Sequence, residues 1–123
     1  MRSANFASLS LFFGFLILES AAVYVCSGRT RIPDHEVEAR ANEIYSKGES
    51  LKASRTPGQE QIEDIYFDDD EDDAEMSFSS DFYPRIKSSG TYTITVDYPS
   101  KKILVTEKIE YNGRHQMSFC GKH

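Results

Sequence analysis

The chain has 123 residues, the length of one small domain, and a formal net charge of −6. The charge is polarised: ten acidic residues fall between Glu60 and Glu75, whereas from Pro84 onward seven Lys or Arg stand against three Asp or Glu. Local field guides encounter more than net charge does, so the acidic balance excludes neither a nucleic-acid nor a protein partner.

MRSANFASLSLFFGFLILESAA opens with Arg2, runs through an apolar stretch from Leu9 to Leu18 and ends with small residues at Ser20 and Ala22. These are the parts of a signal peptide, predicted over 1–22 with cleavage after Ala22, because the apolar stretch is shorter than the ~20 residues of a bilayer span. Nothing after Ala22 is apolar for long enough to stop transfer, so a secreted protein beginning at Val23, without a membrane anchor, is expected. Cys26 and Cys120 stand near the two ends of the domain 23–123 and, in an oxidising compartment, predict a disulfide that brings those ends together. A pair of free thiols in a metal or catalytic site would need Cys or His neighbours at ligand spacing, and the sequence has none there; no metal and no cofactor is expected.

PDHEVEARANEIYSKG (33–48) carries the marks of a helix: Asp34 to cap its start, Glu36 and Glu38 at the positive end of the dipole, Lys47 at the other end, and Gly48 as a left-handed stop. Val37, Ala41 and Ile44, with Tyr45 alongside, form one apolar stripe for packing on a sheet. ESLKASRTPG (49–58), broken by Pro57 and Gly58, reads as a loop. A short apolar island follows at Ile62, Ile65, Tyr66 and Phe67, then the run DDDEDD; 60–75 is expected as a solvated acidic loop, since adjacent carboxylates repel one another. A calcium site is the sharper alternative for this run, but the spacing of an EF-hand, with its central Gly and terminal Glu, is absent.

The last third is β in pattern. A strand is expected over 76–83, before Pro84 and the turn at 88–90. TYTITVDY (91–98) alternates, with Tyr92, Ile94, Val96 and Tyr98 on one face, and 98–101 makes a turn. KILVTEKIEY (102–111) places Ile103, Val105, Glu107 and Ile109 on a common face, and Asn112-Gly113 is a hairpin signal returning the chain through 114–120. A helix followed by an antiparallel meander predicts an α+β domain with the helix covering one sheet face and the disulfide tying the N-terminal arm to the last strand.

YVCSG (24–28), DHEVEARANEIYSKGE (34–49), FYPRIKSSGTYT (82–93) and SFC (118–120) resemble, in that order, the small secreted guanyl-specific fungal ribonucleases. The match is nearer still to the ribonuclease-like secreted effectors of powdery mildew fungi, whose mature chains begin with Y/F/W-x-C, as Tyr24-Val25-Cys26 does, and end with a matching cysteine. The resemblance implies a microbial-ribonuclease-like fold and a role as a virulence effector; a monomer is expected. It also implies delivery into the cell of a plant host, with host RNA or host protein as partner and recognition of some members by intracellular plant immune receptors.

Cleavage by such ribonucleases needs a carboxylate base, a histidine acid and cations for the phosphorane charge. Where the resemblance expects the base the chain has Phe82, where it expects the arginine it has Thr93, and where it expects the acid it has Lys108 or Ile109. No catalytic residue is therefore assigned, and a pseudoenzyme is expected. The alternative is an active ribonuclease with a rearranged site using Glu107 and His115, the former otherwise read as a paired carboxylate at the sheet rim. His35 and His123 are expected as exposed bystanders. The candidate RNA or partner surface comprises Arg85, Lys87, Lys101, Lys102, Lys108 and Arg114 with Tyr83 and Tyr92, supplying cations for phosphates and aromatic faces for bases. Outward-pointing lysines on a solvated sheet and tyrosines at its core and rim would give the same pattern without any ligand.

Overall fold

The computed structural model describes residues 22–27, 30–69, 75–86 and 90–123. The predicted signal peptide, but for Ala22, lies outside them, as does Lys87. The elements are strands β1 (Val23–Val25) and β2 (Arg31–Pro33), helix α1 (Asp34–Lys52), then strands β3 (Gln61–Ile62), β4 (Ile65–Asp69), β5 (Met76–Phe82), β6 (Thr91–Tyr98), β7 (Ile103–Tyr111) and β8 (Arg114–Lys122). They form one antiparallel sheet in the order β2-β1-β8-β7-β6-β5-β4-β3, with α1 packed over β4, β5 and β6. The α+β class holds, with more sheet than the sequence pattern predicts. No helix among the described residues is long and apolar enough to cross a membrane.

The period-2 segments form where expected. Tyr92, Ile94 and Val96 of β6 are buried on the helix side, opposite Phe78, Ser80 and Phe82 of β5. Asn112 and Gly113 take φ of 50° and 74°, the left-handed values that a two-residue hairpin turn requires, and Tyr111 pairs with Arg114 across it. The 98–101 turn contains a cis Tyr98–Pro99 bond, with Lys101 at φ 65°.

Several expectations are corrected. The helix runs to Lys52, so Glu49–Lys52 are helical and not loop. Gly48 does not end it: Gly48 is buried inside the helix, and the missing side chain leaves room for the Phe78 ring. Nor does Asp34 cap the start, for Pro33 holds that position without a side-chain hydrogen bond and Asp34 is the first helical residue. The island in 60–75 is a hairpin, β3–β4, whose Ile65 and Phe67 are buried; the acidic-loop reading treated Asp68 and Asp69 as unstructured, whereas both pair with β5. Asp69 there accepts two hydrogen bonds from Arg55, at 2.9 and 2.7 Å, and the rest of the acidic run, 70–73, lies outside the described residues.

The N-terminal arm is itself a hairpin, β1–β2, laid against the C-terminal end of β8 through Tyr24↔Lys122 and Val25↔Gly121. Cys26 and Cys120 are bonded, their Cα atoms 4.2 Å apart and 94 positions apart in sequence. The predicted terminal clamp is present, and it closes the sheet order rather than an arm lying loose on its surface.

Candidate functional site

Strand alternation divides the candidate residues between the two sheet faces. On the helix side, Glu107 of β7 pairs with Tyr92 of β6 and Ser118 of β8. Its side chain is 1% exposed, and its carboxyl accepts a hydrogen bond from Tyr92 Oη at 2.8 Å and one from Ser27 Oγ at 2.7 Å. Ser27 Oγ is also 2.9 Å from Ser118 Oγ. A Cβ on Gly90 would lie 3.2 Å from Glu107 Cγ and equally close to the Lys108 carbonyl oxygen, so only a glycine passes there without displacing its neighbours. Glu107 is therefore a paired carboxylate, as expected, but it sits deeper than the sheet rim, and its partners are hydroxyls. It ties the residue after Cys26 to the centre of β7, so one buried polar cluster reinforces the terminal clamp.

The opposite face is open. Thr91, Thr93 and Thr95 of β6, Leu104, Thr106 and Lys108 of β7, and Met117 and Phe119 of β8 alternate onto it. Met117 and Phe119 are 67% and 71% exposed, and Leu104 is also exposed. The sequence carried a signal for this surface, since Cys120 and Ser118 facing inward force Phe119 and Met117 outward.

Thr93 and Lys108 lie on this open face, but Phe82 is buried on the helix side. Glu107 and His115 also project from opposite faces, because His115 pairs with Glu110 and Ser118 with Glu107. A rearranged acid–base pair needs both groups within reach of one phosphate; these two are separated by the sheet itself. His35, His115 and His123 are all exposed.

The cations do not gather into one track. Lys108, Arg114, Tyr83 and Arg85 belong to the sheet end that carries the Asn112-Gly113 turn and the chain after Phe82. Lys101 and Lys102 lie in the β6–β7 turn at the other end, where Lys101 Nζ stands 4.8 Å from the centre of the Tyr45 ring. Tyr83 is 81% exposed, whereas Tyr92 is 3% exposed and offers no face to a base, a correction to its candidate role. Arg85 donates its backbone N–H to Glu36, 3.3 Å away, which fixes the chain after β5 beside the first turn of α1.

A polar staple that the sequence pattern did not reveal joins α1 to the β3–β4 hairpin. Arg40 donates to Ser80 Oγ at 2.8 Å and to the Asp81 carbonyl at 3.1 Å, and Ser80 in turn donates to the Asp64 carbonyl at 2.7 Å. Asp64 also meets Arg40 and Lys47. The hydrogen bond from Lys47, with help from Arg40, lowers the Asp64 pKa to about 2. At the clamp, burial raises the Tyr24 pKa, and the neighbouring Asp34 raises that of Lys122.

No known protein family, curated protein or solved structure matches the chain.

Proposed function

We propose that the protein is a secreted, non-catalytic effector with a ribonuclease-like scaffold that acts by binding a host protein. The support for the scaffold is the ordered resemblance of YVCSG, the helix, FYPRIKSSG and SFC to that family, together with a helix laid on an antiparallel sheet and the Cys26–Cys120 bond. The observation that carries the binding mode is the open face of β7 and β8, where Leu104, Met117 and Phe119 are all exposed. Exposed apolar side chains beside charge mark protein-interaction surfaces, and Lys108, opposite Met117, supplies that charge on this face. Host delivery and recognition by an intracellular plant immune receptor follow from the family resemblance and belong to the same proposal.

Host RNA is the second reading, favoured by Lys108, Arg114 and exposed Tyr83 at one end of the sheet. The separation of Lys101 and Lys102 from that group weakens it. A pull-down from host-cell extract, with and without ribonuclease treatment, decides between them. Capture of a host protein that survives the treatment supports the proposal; capture lost on treatment supports RNA, with salt-dependent affinity as its second signature. RNA degradation by the folded protein would overturn the non-catalytic reading.

A further inference from the structure

The edge of β8 is only partly used. Val23 and His123 exchange both backbone hydrogen bonds, at 3.2 and 2.8 Å, so the odd-numbered residues of β8 direct their peptide groups toward β1. The two-residue turn at the other end of the strand gives the same parity, since it makes Tyr111 and Arg114 a hydrogen-bonded pair and leaves His115 pointing away from β7. β1, however, pairs no further along β8 than Gly121, and Cys26 turns aside, donating its N–H to the Thr30 carbonyl at 2.9 Å. Among the described residues no strand covers the peptide groups of His115 and Met117.

Natural sheets blunt such edges with proline, bulges, inward charges or very short strands. β2 and β3, the outermost strands, are three and two residues long. β8 has nine residues, no proline, and Met117 and Phe119 exposed beside the bare stretch. The strand is also locally basic: among the described residues neither Lys108 nor Arg114 has an ion-pair partner, and Glu110, opposite His115, is the one exposed carboxyl of β7, Glu107 being buried. A surface cavity of about 580 Å³ lies there, lined among the described residues by Asn112, Arg114, His115 and Gln116.

We infer that the 114–118 edge of β8 accepts an extended segment of a partner protein as an added strand. Its main chain bonds to His115 and Met117, its alternate apolar side chains extend the Met117–Phe119 surface, and its carboxylates, on the other face, sit by Arg114. The cationic edge selects an acidic segment over a second copy of this chain, whose own β8 would bring like charges together. The inference rests on the protein-partner reading above and specifies how that partner is held.

The test uses a synthetic peptide alternating valine and threonine behind aspartates, labelled for fluorescence anisotropy. Met117→Pro removes an N–H that faces the free edge and not β7, so the β7–β8 ladder is retained. The expected result is peptide binding that weakens about tenfold in Met117→Pro and on N-methylation of alternate peptide amides, but persists in Met117→Val. Equal binding by the N-methylated peptide overturns the inference. Amide exchange on the unaltered protein gives an independent measure: peptide should protect His115 and Met117, and absence of protection overturns the inference even if Met117→Pro does not fold. Protection of the same amides by self-association, seen by sedimentation without peptide, overturns the choice of occupant. Capture of a host protein that Met117→Pro leaves unchanged refutes the edge and spares the protein-partner reading; peptide binding without any host-protein capture refutes that reading and spares the edge.

Discussion

Gly48→Ala sets two opposed effects of known size against each other. In an exposed helix interior, alanine would stabilise by about 0.8–1.0 kcal/mol relative to glycine. At this position the added Cβ falls 2.5 Å from Phe78 Cδ2 and 2.7 Å from Cδ1, distances that real Cβ contacts essentially never show. Something must move, and the ring is poorly placed to do so: Phe78 is fully buried between Tyr45, Phe67 and Tyr98, whose ring centres lie 6.3, 5.5 and 5.6 Å away. Overpacking of this kind costs about 1–3 kcal/mol, so the net expectation is a loss of up to about 2 kcal/mol. For a domain of this size that lowers Tm by up to roughly 16 °C. Thermal unfolding followed by circular dichroism, with the disulfide intact, measures it. Repeating the substitution on a Phe78→Leu background isolates the contact: there the alanine should be neutral or stabilising, giving a clear coupling between the two sites. A rise in Tm for Gly48→Ala alone would refute the reasoning, since it would mean that helix propensity, not the ring beneath, governs the position.

The other expectations concern the clamp and the staple. Tyr92→Phe removes the phenol that donates to Glu107 at 2.8 Å inside the sheet and should cost about 1–3 kcal/mol in urea unfolding. Replacing both Cys26 and Cys120 with alanine opens a loop of 94 residues and, by chain entropy, should cost about 4–5 kcal/mol, read as a lower denaturant midpoint. Asp64, lowered from 3.8 to about 2, binds its proton less readily when folded than when unfolded. Its contribution is therefore complete above the unfolded value and is lost as pH falls through about 2; Asp64→Asn should flatten that part of the stability profile between pH ~4 and ~2. Because the side chain is 49% exposed, the amplitude should stay within ~1 kcal/mol.

Much of this protein was legible one segment at a time. Alternation located β5, β6 and β7 to within a residue or so, Asn112-Gly113 located the hairpin, and the i, i+4, i+7 stripe of Val37, Ala41 and Ile44 identified the buried side of α1. These are local signals, set by side-chain period and by the φ that a turn demands. The errors arose where a local preference met a distant neighbour. Gly48 has the propensity to stop a helix, yet it continues one because Phe78, thirty positions on, occupies the space a side chain would take. The acidic run led to a loop assignment, yet Ile65 and Phe67 gain more from burial beneath α1 than Asp68 and Asp69 lose at an exposed strand end.

The candidate surface divides in the same way. The sequence determined which residues are cations, that Glu107 shares the inward face of β7, and that the two cysteines have only each other. The tertiary structure alone decided that Tyr92 is spent on Glu107, that Lys101 and Lys102 lie at the far end of the sheet from Lys108 and Arg114, and that β1 leaves part of β8 uncovered. Pairing between β1 and β8 joins opposite ends of the chain, and its register is fixed by the disulfide, the Ser27–Glu107 contact and the Val23–His123 bonds acting together. Periodicity reports which face a residue takes within its own strand; which strand becomes its neighbour depends on interactions across the whole sequence, and these exist only once the sheet has closed.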